Sequence, residues 1–282
     1  MLSFCVTAYN EFTEPQQHGK RLLKCISAAV EHPMIDEIVI VNDGPDGADE
    51  LATMLDHVPK VEFFRNESRM GVFCNKIEAV ARCTNDWVIT SDSDNFMGQD
   101  YLNVLFNGDL LASRLVWYAS SFARPQFDYR GLCGYWDIDN IRNGYHDSPD
   151  VCGKDFFSTP IAACLVNTGN QTVHRSTFME VFEKFRGVRR FDLMLPNYMN
   201  LSNEERQSED WHLIYGACDS ILLNIEWFKN NGILRIRGGL EYDHAVHVDK
   251  SGSNYDRAPA QKEQLAAVLR KHLAEGTLWE VE

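Results

Sequence analysis

No apolar run in this 282-residue chain approaches the roughly 20 residues needed to cross a bilayer. The opening Met1-Leu2-Ser3-Phe4-Cys5-Val6 lacks the basic region of a signal peptide and reads directly as a strand. Basic residues are in deficit, with 27 Lys and Arg against 41 Asp and Glu and a formal net charge of −14. Such a surface repels nucleic acid and anionic membranes, whose binding rests on neutralising phosphates with Lys and Arg. The eight cysteines show no CxxC spacing, so a zinc site has no support. Cys5, Cys25, Cys74, Cys83 and Cys164 fall in apolar patterns, where a reduced thiol packs as a small hydrophobe. That usage predicts a reducing, cytoplasmic compartment. Neither GxGxxG nor GxxxxGK[ST] follows the first strand, which removes the common dinucleotide and P-loop fingerprints. Internal repeats and low-complexity stretches are missing too.

What is present is an ordinary globular composition, 44% hydrophobic and 24% charged. The first third alternates strand and helix. Leu2 to Thr7 is a short apolar strand, and Gln17 to Glu31 places Leu22, Leu23, Ile26, Ala29 and Val30 at helical spacing. Ile35 to Val41 is a second strand, closed by the turn signal Asn42-Asp43-Gly44-Pro45. A helix over Ala48 to Leu55, a strand over Val61 to Phe64 and a helix over Gly71 to Arg82 follow, and then a strand ending at Asp92. This βαβαβαβ order predicts an α/β fold: a mostly parallel, Rossmann-like sheet with helices on both faces. In such sheets ligands bind beyond the carboxyl ends of the strands.

The polar clusters sit at those ends: Thr7-Ala8-Tyr9-Asn10-Glu11, Asn42-Asp43-Gly44 and Ser91-Asp92-Ser93-Asp94. Asp92 and Asp94 are one residue apart, and in extended backbone such residues point to the same side. Two carboxylates that close resist joint ionisation unless something positive lies between them. Hard oxygen ligands suit Mn²⁺ or Mg²⁺, bound through one or two carboxylates and substrate phosphates. The competing reading is a solvated Asx-rich turn. A net charge of −14 would repel a nucleotide unless a metal and local backbone donors offset the field, which makes the metal reading more necessary.

From about Leu115 to Asp150 the chain interleaves Trp117, Tyr118, Phe122, Phe127, Tyr129, Tyr135, Trp136 and Tyr145 with Arg114, Arg124, Arg130 and Arg142. Aromatic faces with polar neighbours suit sugar stacking, and an aromatic core under an irregular loop explains them equally well. Further on, Ser208-Glu209-Asp210 precedes a helix-like run from Trp211 to Phe228, where the acids suit a first helical turn. Gly232 to Ile236 is a late strand, leading to His244 and His247 and then to Ser251-Gly252-Ser253. A final helix covers about Pro259 to Ala274.

Taken in order, these pieces resemble the inverting GT-A glycosyltransferases of family 2. The resemblance rests on Thr7 to Glu11, Ile40 to Gly44, Arg69-Met70-Gly71 with Asn75-Lys76, and the DXD-type Ser91 to Asp94. It continues through Asn167-Thr168-Gly169-Asn170, the helix start at Arg175 to Phe178, and Glu209-Asp210, so it spans roughly residues 2 to 230. It implies a metal-dependent enzyme moving one sugar from a nucleotide-diphosphate sugar, usually UDP-linked, to a hydroxyl of a glycan, glycolipid or other acceptor. Residues 1–110 would form the nucleotide-sugar half of a single GT-A domain, and residues 111–282 the acceptor and catalytic-base half. Thr7, Ala8, Tyr9 and Glu11 would line the base and ribose pocket, and Asp43 would accept a base N–H. Gly71, Asn75, Ser91 and Ser93 would belong to the donor site, with Asp92 on ribose or sugar or on the metal. Asp94 would ligate the metal, and Asp210 would be the general base.

The departures from the family pattern carry information. Asn42-Asp43-Gly44-Pro45 replaces a common Asp-Asp-Gly-Ser, and Gln207-Ser208-Glu209-Asp210-Trp211 lacks the Arg of the processive Gln-x-x-Arg-Trp signature. A soluble, non-processive enzyme fits better than a polymer synthase. Several GT-A enzymes complete the metal shell with a C-terminal His. His244 and His247 follow the last strand, and His247 is preferred because Ser251-Gly252-Ser253 beyond it can offer backbone donors to phosphate. Three rivals stay open: a retaining GT-A transferase, a sugar-nucleotide nucleotidyltransferase, and a non-catalytic carbohydrate- or nucleotide-binding domain.

Overall fold

The computed structural model describes residues 1–9, 19–68, 70–107, 111, 113–137, 139–140, 165, 168–186 and 219–244. The first half follows the predicted alternation: β1 (Leu2–Ala8), α1 (Lys20–Glu31), β2 (Ile35–Asn42), α2 (Ala48–Leu55), β3 (Val61–Arg65), α3 (Val72–Arg82) and β4 (Trp87–Asp92). Then come β5 (Asn95–Met97), α4 (Gln99–Phe106), β6 (Val116–Arg124), β7 (Phe127–Asp128), a 3₁₀ turn (Arg130–Leu132) and β8 (Gly134–Trp136). The second half contributes β9 (Gln171–His174), α5 (Arg175–Arg186), α6 (Asp219–Lys229) and β10 (Ile233–His244). The predicted helix over Pro259 to Ala274 and the start of the Trp211 helix lie outside the described residues.

Among the described residues the strands form one sheet in the order β3-β2-β1-β4-β9-β6-β10-β5, with β7 on β6 and β8 on β10. β3, β2, β1 and β4 are parallel, and β6 and β10 are parallel to each other. Antiparallel β9 joins the two blocks, so the six longer strands share one direction. From β1 the chain steps outward to β2 and β3, then returns to place β4 on the other side of β1. That reversal opens a crevice between the carboxyl ends of β1 and β4, the place where doubly wound sheets bind ligands.

Alternation along β1 explains how the sheet is covered. Phe4, Val6 and Ala8 join Leu22, Cys25 and Ile26 of α1 in the main apolar cluster. Leu22 and Ile26 are fully buried, and each contributes about 1.5–3 kcal/mol relative to an exposed side chain. An Asp at position 26 would forfeit that and bury a charge. Ser3, Cys5 and Thr7 face the opposite side, toward α3. There Cys5 lies beside Cys83 and near Lys76, and burial pushes its thiol well up. Cys5, Cys25, Cys74 and Cys83 are buried thiols outside any disulfide, as expected, whereas the Cys133 thiol is exposed.

Three of the aromatics in the middle segment belong to the core. Trp117 is fully buried, stacks on Trp227 at 4.2 Å between ring centroids, and donates its indole N–H to Thr177 Oγ1 at 3.1 Å. Tyr118 and Tyr129 are buried as well, while Tyr135 is exposed. Where the sequence allowed stacking on a sugar or on the core, the core holds Trp117, Tyr118 and Tyr129. No helix among the described residues is long and apolar enough to cross a membrane.

Candidate active site

Parallel pairing of β1 with β4 sets Thr7 directly beside Asp92. Thr7 Oγ1 donates to Asp92 Oδ1 at 2.9 Å, and the backbone N–H of Ser93 donates to Thr7 O at 3.1 Å. Asp92 Oδ1 also faces Lys76 Nζ at 3.5 Å, and Asp92 Oδ2 accepts from Asn95 Nδ2 at 3.4 Å. The Lys76 side chain is 4% exposed against 38% for Asp92, so the ammonium is buried under a carboxylate that still meets solvent. Both Asp92 oxygens are thus engaged by the protein itself.

Asp94 lies in the turn after β4 and has different company. His244, the last residue of β10, brings Nε2 to 3.8 Å from Asp94 Oδ2, with both side chains less than one-fifth exposed. His244 and Asn95 are cross-strand partners in the antiparallel β10–β5 pair, and His244 Nδ1 meets Asn95 Oδ1 at 2.7 Å. The preferred histidine, His247, lies outside the described residues; the histidine found beside Asp94 is His244. The reason is the length of β10, which runs past Ile236 to His244. Gly238-Gly239 looks like a strand end, yet it forms an irregularity between Arg237 and Glu241 with Gly239 at φ +88°, and pairing resumes to His244.

Asp43, just past β2, is buried and works as a backbone clamp. Its Oδ1 accepts the Met70 N–H at 2.6 Å, its Oδ2 accepts the Gly71 N–H at 2.9 Å, and Asn66 Nδ2 approaches Oδ1 at 3.5 Å. Gly71 adopts φ 83° and ψ 161°, a conformation essentially restricted to glycine, and it opens α3. A carboxylate at that N-terminus suits the helix dipole. The same charge adds to burial in pushing the neighbouring Cys74 thiol up to about 12. Asn75 is buried too; it donates to Val41 O at 3.1 Å and accepts from Asn66 at 2.9 Å, tying α3 to β2. Asp43 and Asn75 therefore fix α3 so that Lys76 reaches Asp92.

The remaining expected residues divide. Ala8 is core, and Tyr9 at the strand mouth is exposed. Ser91 points to the α1 face, 3.6 Å from Cys25 Sγ, away from the carboxylates. Arg69, Asn10, Glu11, Asn167, Glu209 and Asp210 lie outside the described residues. Lys76 appeared in the sequence as part of a motif without a role, although the signal was there. Phe73, Lys76, Ile77 and Val80 follow i, i+3, i+4, i+7, so a charge sits inside the buried stripe. Asn95, fully buried between Asp92 and His244, had no signal beyond its place after the DXD triplet.

Among the described residues no group of three or more His, Cys, Asp and Glu side chains gathers as a metal cage. The pair that does face one another, Asp94 and His244, offers one hard oxygen donor and one imidazole. That suits a cation that takes its other ligands from diphosphate and water.

Residues 3–108 match the family model described as glycosyl transferase family 2. No curated protein sequence matches the chain. Among solved structures it is similar to GalNAc-T7 with UDP, GalNAc and Mn²⁺, at 12% identity and TM-score 0.53, covering 98% of this chain and 48% of that one. It is also similar to S. aureus TarS, at 11% identity and TM-score 0.50, covering 97% and 42%. TarS 1–349 in complex with UDP-GlcNAc aligns at 10% identity and TM-score 0.52, covering 96% and 66%. The chain thus spans less than half the length of the first two, and at these identities the likeness establishes a shared GT-A fold. The family match covers about the first third of the chain, and the shared fold extends over nearly all of it.

Proposed function

We propose that the protein transfers a single sugar from a UDP-sugar to an acceptor hydroxyl, with inversion and with the help of a divalent metal. The observation that carries this reading is the division of labour at the β1/β4 crevice. Asp92 is held by Thr7, Lys76 and Asn95, while Asp94 faces His244. An ordinary Asx turn has no use for a buried lysine and a largely enclosed histidine converging on two carboxylates. The UDP and Mn²⁺ named with GalNAc-T7, and the UDP-GlcNAc named with TarS 1–349, support the donor and metal assignments.

In this reading Thr7, Ala8, Tyr9 and Glu11 border the nucleoside. Asp43 shapes that pocket through the Met70–Gly71 loop, and a base N–H approaches its carboxylate. Ser93 and Asp92 approach the ribose and sugar. Asp94 and His244 would hold Mn²⁺ or Mg²⁺, which when bound supplies positive charge for the departing diphosphate. Asp210 takes the proton of the acceptor hydroxyl as its oxygen attacks the anomeric carbon. The new C–O bond forms on the face opposite the breaking bond to diphosphate, so the anomeric centre inverts. Lys76 holds the Asp92 carboxylate in place.

The test is turnover of a panel of UDP-sugars followed by NMR of product and nucleotide. UDP release with an inverted anomeric carbon is expected, and Asp210→Asn lowers kcat about 10²–10⁴-fold while donor affinity is kept. A retained configuration, release of pyrophosphate, or undiminished kcat in Asp210→Asn would each overturn the assignment.

A further inference from the structure

We infer that Asn95 is a positioning residue, a two-ended amide that fixes which nitrogen of His244 faces Asp94. The inference rests on the metal reading of Asp94 and His244 for its purpose, but on the hydrogen-bond network for its content. Asp92 Oδ2 lies 3.4 Å from the Asn95 amide, and an ionised carboxylate can only accept. The amide nitrogen must therefore point to Asp92, and Asn95 Oδ1 must point the other way. There it meets His244 Nδ1 at 2.7 Å, and a carbonyl oxygen can only accept, so Nδ1 carries the proton. In the neutral ring Nε2 is then a lone pair, aimed at Asp94 Oδ2 3.8 Å away. A cation placed between the two would take the ring nitrogen and the carboxylate oxygen as ligands. A neutral imidazole whose other N–H is held by an oxygen is also the arrangement that metal-bound histidines favour.

The rest of the network supports the same polarity. Thr7 and Lys76 approach Asp92 Oδ1, which leaves Oδ2 to orient Asn95. Asn95 is 2% exposed, so water cannot easily substitute at either end. The antiparallel register that pairs Asn95 with His244 fixes the spacing through the backbone. A chain of polar contacts thus runs from Lys76 through Asp92 and Asn95 to His244, and the buried lysine ultimately sets the tautomer of a histidine on another strand. Asp at position 95 could accept from Nδ1 but could not donate to Asp92; Ala could do neither.

The experiment is long-range ¹H–¹⁵N NMR of the full chain labelled at histidine, at a pH well above the imidazole range. His244 is assigned by its disappearance in His244→Gln. The wild type is expected to show the Nδ1–H tautomer, Asn95→Asp to keep it, and Asn95→Ala to lose it. In parallel, Mn²⁺ affinity measured with UDP present should fall about 10–100-fold in Asn95→Ala, the usual effect of removing a partner behind a metal-binding histidine. Circular dichroism of both variants controls for folding. An Nε2–H tautomer in the wild type, or Asn95→Ala with unchanged tautomer and unchanged Mn²⁺ affinity, would overturn the inference. A wild type that shows Nδ1–H yet binds no Mn²⁺ would uphold the lock and overturn only the metal reading.

Discussion

A double-mutant cycle on Lys76 and Asp92 probes the electrostatic frame of the crevice. At 3.5 Å and an effective dielectric constant near 20, the gross attraction is about 5 kcal/mol. Asp92 is more than one-third exposed, so solvent screens much of this, and a coupling of about 1–3 kcal/mol is expected. The two single variants should differ. Lys76→Met removes the buried ammonium, and Asp92 keeps Thr7, Asn95 and water, for a cost of about 1 kcal/mol. Asp92→Asn deprives an ammonium only 4% exposed of the anion beside it, at about 2–3 kcal/mol, below the range for fully buried pairs because the partner was part-solvated. The double variant should cost less than the sum of the singles. Urea unfolding of all four proteins measures it. Effects that add to within about 0.5 kcal/mol would show that the two charges do not interact, and would remove Lys76 from the site.

Two further substitutions test how the site is supported. Asp43→Asn swaps one acceptor for a donor facing a backbone N–H, so it should cost about 1–3 kcal/mol and weaken UDP binding by releasing the Met70–Gly71 loop; unchanged stability in urea would refute the clamp. Trp117→Phe should cost about 1–3 kcal/mol, from the lost bond to Thr177 and a gap against Trp227, with donor affinity unchanged. A loss of donor affinity at wild-type stability would revive the sugar-stacking reading of that ring.

The first half of the fold was legible because its signals are local. Apolar runs of strand length, helical stripes and Asn-Asp-Gly-Pro punctuation located β1 to β4 and α1 to α3 to within a few residues. Asp92, Asp94 and Thr7 were legible for the same reason, since each lies at or just beyond a strand end and topology alone sends strand ends to one edge. Asp43 was found but with a different engagement, because hydrogen bonds from residues 27 and 28 positions away leave no trace in spacing. β10 was cut short because two glycines read alike whether they end a strand or bulge it, and that hid the pairing of His244 with Asn95. Lys76 could have been recognised by the conflict between its charge and its stripe. Ser91 was misleading in the opposite way: adjacent to Asp92 in sequence, it faces α1, because neighbours in a strand point to opposite sides.

The proposed function places a UDP-sugar in a site completed by a metal on Asp94. Its most direct test is thermal or urea stabilisation by UDP, with and without Mn²⁺, in the wild type and in Asp94→Ala. UDP at about 100 times its Kd should add about 2.7 kcal/mol to the wild type in Mn²⁺ and much less after chelation, with that difference abolished in Asp94→Ala. UDP stabilisation that is the same with and without Mn²⁺, or a metal dependence that survives Asp94→Ala, would contradict it.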